Sequence, residues 1–326
     1  MMKRIFVLTT VYALALLTFT FVTTAGAHSS TRMALGTSSI GGTYYILGTG
    51  WANLMNKNVD GVEISSEATP GPITNMQSMK NGDMELGLVT TWLGGEGYRG
   101  IGWANGTKYE NCLGVVPLYC SVLYIFAPKD SSINTIYDLQ GKRIACGAPG
   151  STSGDAVKAL LSVLNIQPQS VAGLSSNGMC DALKDGTIDA AFGITGIPAA
   201  WLLDLETTKE LKFISLTNED FVKIFEKYPF WGRAEVPANT YKNQNYNWPV
   251  LSFWNMLVAD KSVSENVIYS LTKATYDLHE DLVSIDPNAK SILFENIDKM
   301  TMPLHPGALK YYREKGVKVP EWLILK

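Results

Sequence analysis

Apolar and polar residues change their spacing along this chain in a repeating order. From Arg32 to Thr37 apolar positions alternate as on a half-buried strand, and after a polar turn, Ser38 to Thr43, residues Tyr44, Ile46, Leu47, Trp51, Leu54 and Met55 recur at helical spacing. The pattern predicts a strand feeding a helix through a glycine turn. It then repeats: Val62 to Glu67 reads as a strand, Thr69-Pro70-Gly71-Pro72 as a turn, Ile73 to Lys80 as a helix stopped by Asn81-Gly82, and Glu85 to Thr90 as a third strand. Such βαβαβ order predicts a parallel sheet with right-handed crossovers. Leu113 to Pro128, apolar almost throughout and punctuated by Pro117, reads as a strand passing from one lobe to the next.

The pattern restarts beyond it. Arg143 to Cys146 reads as a strand, Gly147 to Ser153 as a glycine- and hydroxyl-rich turn, Gly154 to Leu164 as a helix, Gly178 to Lys184 as another, and Asp189 to Ile194 as the next strand. Met79-Lys80-Asn81-Gly82-Asp83-Met84-Glu85-Leu86-Gly87 matches Leu183-Lys184-Asp185-Gly186-Thr187-Ile188-Asp189-Ala190-Ala191 in chemical pattern, 40 residues after Gly42 in one case (to Gly82) and 36 after Gly150 in the other (to Gly186). This weak internal repeat predicts two lobes of like topology. A helix follows over Thr217 to Lys227, then an irregular aromatic stretch from Pro229 to Pro249. Val250 to Ala259 is a strand suited to return the chain to the first lobe; Ser264 to Leu282 is an amphipathic helix, and a shorter helix follows Pro306.

Composition narrows the class. Lys3 and Arg4, the apolar run Ile5 to Val22 and the small-x-small group Ala25-Gly26-Ala27 have the form of an export signal, residues 1–27, with the mature chain starting near His28. A membrane anchor is the alternative, but no stop-transfer charge cluster follows, and no cysteine near the cleavage site suggests a lipid anchor. With 27 basic and 30 acidic residues in all, the charge gives no reason to expect a nucleic-acid partner. Cys112, Cys120, Cys146 and Cys180 form no CxxC pair and fit no zinc pattern; disulfides in an oxidising compartment and buried free thiols both remain open.

The candidate chemistry sits in the glycine turns. Gly41 and Gly42 allow close backbone approach, and the first turn of the following helix leaves free N–H groups beside the hydroxyls of Ser38, Ser39 and Thr43. Such a turn holds a small anion without a formal positive charge, although an ordinary strand-to-helix connection has the same residues. Gly95-Glu96-Gly97-Tyr98-Arg99-Gly100 matches a dinucleotide fingerprint formally, but it lacks the strand-to-helix context and the acidic residue about twenty positions on, so a flexible loop or the start of a helix is expected there. Gly150-Ser151-Thr152-Ser153-Gly154 has threonine where a nucleophile elbow needs serine. None of His28, His279 and His305 accompanies a candidate nucleophile.

Taken together, Gly36 to Tyr45 (GTSSIGGTYY), Gly147 to Gly154 (GAPGSTSG), Ala191 to Pro198 (AFGITGIP) and Val236 to Trp254 (VPANTYKNQNYNWPVLSFW) resemble the TAXI-type solute-binding proteins of TRAP transporters, over nearly the whole mature chain. The resemblance implies a type II periplasmic-binding-protein α/β fold, two lobes with central mixed sheets joined by hinge strands. Residues 30–120 and 260–326 would form lobe I and residues 121–259 lobe II. It implies a periplasmic or otherwise extracytoplasmic receptor that closes on a small carboxylate or amino acid and hands it to a TRAP-type permease, with no catalysis; no cofactor or metal is assigned. Carried over by position, the ligand loops are Gly41, Gly42, Thr43, Tyr44 and Tyr45; Thr69 and Gly71; Thr90, Thr91 and Trp92; Pro149, Gly150, Ser151, Thr152 and Ser153; and Thr195 and Gly196. Pro70 stands where many relatives have glycine, and Thr91-Trp92 replaces a polar, often acidic, dipeptide, so Trp92 would offer an apolar wall. These loops hold hydroxyls and no charged side chain, which favours a small organic acid. A glutamate- or glutamine-like amino acid is second, with Glu67 or Glu96 as the nearest candidate counter-charges in sequence. An exported hydrolase on the same fold and a ligand-sensing regulatory domain are the rival classes.

Overall fold

The computed structural model describes residues 30–325; the leader expected over residues 1–27 lies outside the described residues. Strands and helices alternate as β1 (Thr31–Gly36), α1 (Thr43–Asn58), β2 (Val62–Glu67), α2 (Pro72–Asn81), β3 (Leu86–Thr90) and α3 (Thr91–Arg99), ahead of the long strand β4 (Cys112–Pro128). The next stretch runs β5 (Arg143–Gly147), α4 (Thr152–Val163), β6 (Ser170–Leu174), α5 (Ser176–Lys184), β7 (Ala190–Thr195), α6 (Ala200–Thr208), β8 (Leu211–Phe213), α7 (Asn218–Lys227) and β9 (Gly232–Val236). A second long strand, β10 (Trp248–Asp260), precedes α8 (Glu265–Asp277), α9 (His279–Ile285) and α10 (Pro306–Glu314).

These strands form one mixed sheet in the order β2-β1-β3-β10-β4-β7-β5-β6, with β8 beside β4 and β9 beside β10. Within each half the predicted parallel order holds: β1 lies parallel to β2 and β3, and β5 parallel to β6 and β7. The antiparallel pair β4 and β10 joins the halves. β10 pairs with β9 from Trp248 to Ser252 and with β3 from Asn255 to Ala259, while β4 pairs with β10 up to Val122 and with β7 from Val122 to Phe126. Partners are therefore exchanged at Ser121–Val122 on one strand and Ser252–Asn255 on the other.

Beyond that exchange β4 reads as an unbroken apolar run because both its faces are covered. Leu123 and Ile125 enter a core with Leu160, Ile144 and Phe253, whereas Val122, Tyr124 and Phe126 face Trp201, Leu202 and Trp248 on the other side. The first half has its own core around Leu35, Met55, Leu86 and Leu257. Pro117 is tolerated in this central strand at an irregularity: Trp254 pairs with Cys120 and Met256 with Pro117, so the ladder slips where the proline has no N–H to give.

The structure corrects the sequence expectation at the glycine-rich segment. Residues expected as a loop form α3, capped by the Thr90 hydroxyl on Leu93 N and ended at Gly100 in the left-handed conformation. The glycines serve packing: a Cβ on Gly94 would stand 2.6 Å from the Met256 methyl, and one on Gly97 2.6 Å from the Trp103 ring. The dinucleotide-like spacing thus spans the second half of a helix and its glycine cap. The helix expected over Ser264 to Leu282 is divided at Leu278 into α8 and α9. All four cysteines are free thiols.

Candidate functional site

The C-terminal ends of the parallel strands of both halves face one cavity, the place where open α/β sheets leave a crevice. On the first side the crevice is fixed by Asn75, which is fully buried. Its Nδ2 donates to the carbonyls of Gly36, Thr37 and Leu88 at 2.8–3.0 Å, and its Oδ1 accepts from Thr69 Oγ1 at 2.7 Å. One side chain therefore ties the ends of β1 and β3 to α2 and to the turn before it.

The floor is a second buried network. Asn255 sits at the slip between β4 and β10; its Nδ2 donates to the Tyr119 carbonyl (2.7 Å) and Ser121 Oγ (2.9 Å), and its Oδ1 accepts from Tyr44 Oη (2.6 Å). The amide side chain supplies hydrogen bonds where the strand ladder is interrupted. The Tyr44 and Tyr119 rings meet edge to face at 6.2 Å, and burial raises both phenols well above their ordinary pKa, so both stay protonated.

Five helices start at this cavity. Gly42 and Thr43 of α1, Gly71 and Pro72 of α2, Thr90 before α3, Ser151 to Ser153 of α4, and Ser175 and Ser176 of α5 all line it, and its volume is about 120 Å³. Ser151 and Ser175 cap their helices through Gly154 N and Gly178 N, whereas α1 has no side-chain cap. The amides of Tyr44 and Tyr45 accordingly meet no acceptor among the described residues. Among the described residues no Asp, Glu, Lys, Arg or His lines the cavity; its remaining surface includes Leu174, Met179, Ile194, Pro70 and Tyr119. Converging helix N-termini with neutral donors and no cation make a positive potential without a positive side chain.

The two halves touch directly around the cavity. Thr43 Oγ1 and Thr195 Oγ1 are 2.9 Å apart, Gly196 N donates to Thr43 Oγ1 at 3.2 Å, and Ile73 N donates to the Gly150 carbonyl at 3.2 Å. Ile197 N donates to Asn288 Oδ1 at 3.0 Å. Gly71, at φ 142°, brings its backbone so near α4 that a Cβ would lie 3.1 Å from Ser151 Cα.

Of the residues expected at the ligand, Gly42, Thr43, Tyr44, Gly71, Thr90, Ser151, Thr152, Ser153 and Thr195 line the cavity. The others stand behind them. Gly41 faces Asn177, Tyr45 is half-buried, Thr69 is held by Asn75, and the Thr91 carbonyl accepts from Thr301 Oγ1. Pro149 packs against Gly173, Gly150 bonds across the halves, and Gly196 lies between Thr43 Oγ1 and Tyr124 Oη. Trp92 packs within 5.0–6.2 Å of Trp231, Phe253 and Tyr228, and its Nε1 donates to Glu96 at 2.7 Å. Neither Glu67 nor Glu96 reaches the cavity; burial raises the Glu96 carboxyl against the hydrogen bonds that hold it. Tyr119, Ser121, Asn255, Ser175 and Ser176 were missed by the motif-based reading. Isolated polar residues inside the apolar runs of β4 and β10 were the available signal, and so was the Ser175-Ser176-Asn177 start of α5.

An α/β fold in two halves, exchanging partners along two shared strands and enclosing a cavity, is that of the periplasmic solute-binding proteins. The chain belongs to the NMT1-like family, whose profile matches residues 35–316. Among solved structures it resembles a protein from Bordetella bronchiseptica RB50, with a TM-score of 0.52, 16% identity, and 90% of this chain and 91% of that one covered. A structure from the glutathione import system of Streptococcus mutans, described as working via GshT and the cystine ABC importer TcyBC, matches with a TM-score of 0.50, 13% identity, and 81% and 95% covered. A TctC solute-binding protein from Polaromonas matches at 0.44, with 18% identity and 87% and 95% covered. At these identities the likeness is one of fold.

Proposed function

We propose that this protein is an extracytoplasmic solute receptor that closes two lobes on a small organic acid and delivers it to a membrane permease. The observation that carries this reading is the meeting of five helix N-termini at a cavity with no ionisable Asp, Glu, Lys, Arg or His among the described residues. An anion there gains up to about 2 kcal/mol from a partly buried helix end. An ammonium would be buried without a partner, a cost of several kcal/mol, which argues against the amino-acid alternative. The lobe division we infer is residues 30–120 with 260–326 against 121–259, close to the partner exchange on β4 and β10. The earlier resemblance favours a TRAP-type permease of the TAXI branch as partner; the Streptococcus mutans structure favours an ABC importer as the second reading.

An exported hydrolase has less support. His305 is buried as the N-cap of α10 and His279 Nε2 contacts the Ala289 carbonyl, and neither lines the cavity. Native mass spectrometry of protein purified from its producing cells, before and after denaturation, is the test. Release of one unmodified carboxylate per chain is expected. Turnover of a supplied ester, amide or glycoside would overturn the reading.

A further inference from the structure

The cavity floor contains one hydroxyl without a well-placed partner. Tyr119 is 1% exposed and lines the cavity, and its Oη has no hydrogen-bond partner of good geometry among the described residues, the Thr43 and Ser121 hydroxyls lying only within weaker hydrogen-bonding reach. Both of those hydroxyls are engaged elsewhere: Ser121 Oγ accepts from Asn255 Nδ2, and Thr43 Oγ1 accepts from Gly196 N and pairs with Thr195 Oγ1. Tyr44 Oη donates to Asn255 Oδ1, and both protons of the Asn255 amide go to the Tyr119 carbonyl and Ser121. A buried hydroxyl left without a good partner is destabilising. Tyr119 therefore presents a donor to whatever fills the cavity.

Resting on the receptor reading above, we propose that the occupant is a short monocarboxylate carrying one uncharged oxygen substituent, a hydroxyl or oxo group, which accepts a hydrogen bond from Tyr119. Three further observations restrict it to that class. The volume of about 120 Å³ is a little below that of a cavity known to hold benzene, about 150 Å³, so about six non-hydrogen atoms fit. No cation among the described residues lines the cavity, so a second carboxylate would meet the first with no counter-charge to offset their repulsion. Leu174, Met179 and Ile194 give an apolar wall on the second half, suited to a short aliphatic end.

The test is calorimetric titration of the purified full chain and of Tyr119→Phe with five probes: butyrate, 2-hydroxybutyrate, 2-oxobutyrate, succinate and glutamate. One neutral hydrogen bond at a buried site corresponds to about tenfold in affinity. The hydroxy or oxo acid should bind about tenfold tighter than butyrate. Tyr119→Phe should bring that ratio close to one while leaving butyrate within about twofold, a pattern that general damage to the fold does not produce. Tightest binding of succinate or glutamate would overturn this class while leaving a carboxylate receptor standing. An unchanged ratio in Tyr119→Phe would remove Tyr119 from recognition. Failure of all five probes to bind would overturn both this inference and the organic-acid reading.

Discussion

Replacing Asn255 with alanine tests whether the slip between β4 and β10 is held by a side chain. The substitution removes three hydrogen bonds of 2.6–2.9 Å from a residue with no exposed surface. Two of the partners, Tyr44 Oη and Ser121 Oγ, line the cavity, so water can replace the amide and each loss is about 0.5–1.5 kcal/mol. The third, the Tyr119 carbonyl, lies in a buried strand where the ladder is already irregular, and leaving it unpaired costs about 1–3 kcal/mol. The sum is roughly 2–6 kcal/mol. Urea unfolding followed by far-UV circular dichroism measures it: at a slope near 3 kcal/mol per M, the midpoint falls by about 1–2 M with the slope unchanged. Ser121→Ala removes a single partner and should cost only about 1 kcal/mol. A loss below about 1 kcal/mol in Asn255→Ala, or equal losses in the two variants, would refute the argument that this amide substitutes for the missing backbone bonds.

Thr195→Val removes the hydroxyl that meets Thr43 across the cavity at 2.9 Å; the contact-making form should lose about 1 kcal/mol, and X-ray scattering should report a larger radius of gyration in the variant, an equal radius counting against closure through this contact. Trp92→Ala empties the centre of an aromatic cluster joining α3 to the turn between α7 and β9 and to β10, and thermal and urea unfolding should show a loss of about 3–5 kcal/mol; a loss under about 1 kcal/mol would mean the cluster closes over the gap. Arg143 holds Asp189 through Nε at 3.2 Å and Nη2 at 2.6 Å, which lowers the carboxyl below its ordinary pKa. Because the folded pKa is the lower one, this stabilisation is complete above the unfolded value near 3.9 and is lost as pH falls through the folded value, so wild type and Asp189→Asn should differ at pH 7 and converge by about pH 2. A difference that persists undiminished in acid would show that the ion pair is not its source.

How much of this was legible in the sequence follows from how each residue is constrained. Elements packed against a core announced themselves: β2 was read at the observed bounds, and β1, β3, β4 and β10 within one or two residues, because their apolar pattern is imposed by a core that is there. β6 escaped because it is an edge strand whose residues are mostly exposed or half-buried, so no alternation marks it, and α3 was misread because glycine, poor in helices by propensity, was selected there by the closeness of Met256 and Trp103. The cavity divides the same way. Its helix N-termini follow local turn chemistry and were visible as Gly-Gly-Thr and Gly-Ser-Thr-Ser. Tyr119, Ser121 and Asn255 come together only through the pairing of two strands about 135 residues apart, a relation no local pattern carries. A polar residue in the middle of a long apolar strand is the one local trace such a network leaves, since burying Asn255 without partners would be prohibitive. Ser121 and Asn255 therefore imply each other: each sits on a strand whose neighbours are apolar, and each is stable there because the other strand supplies its hydrogen bond.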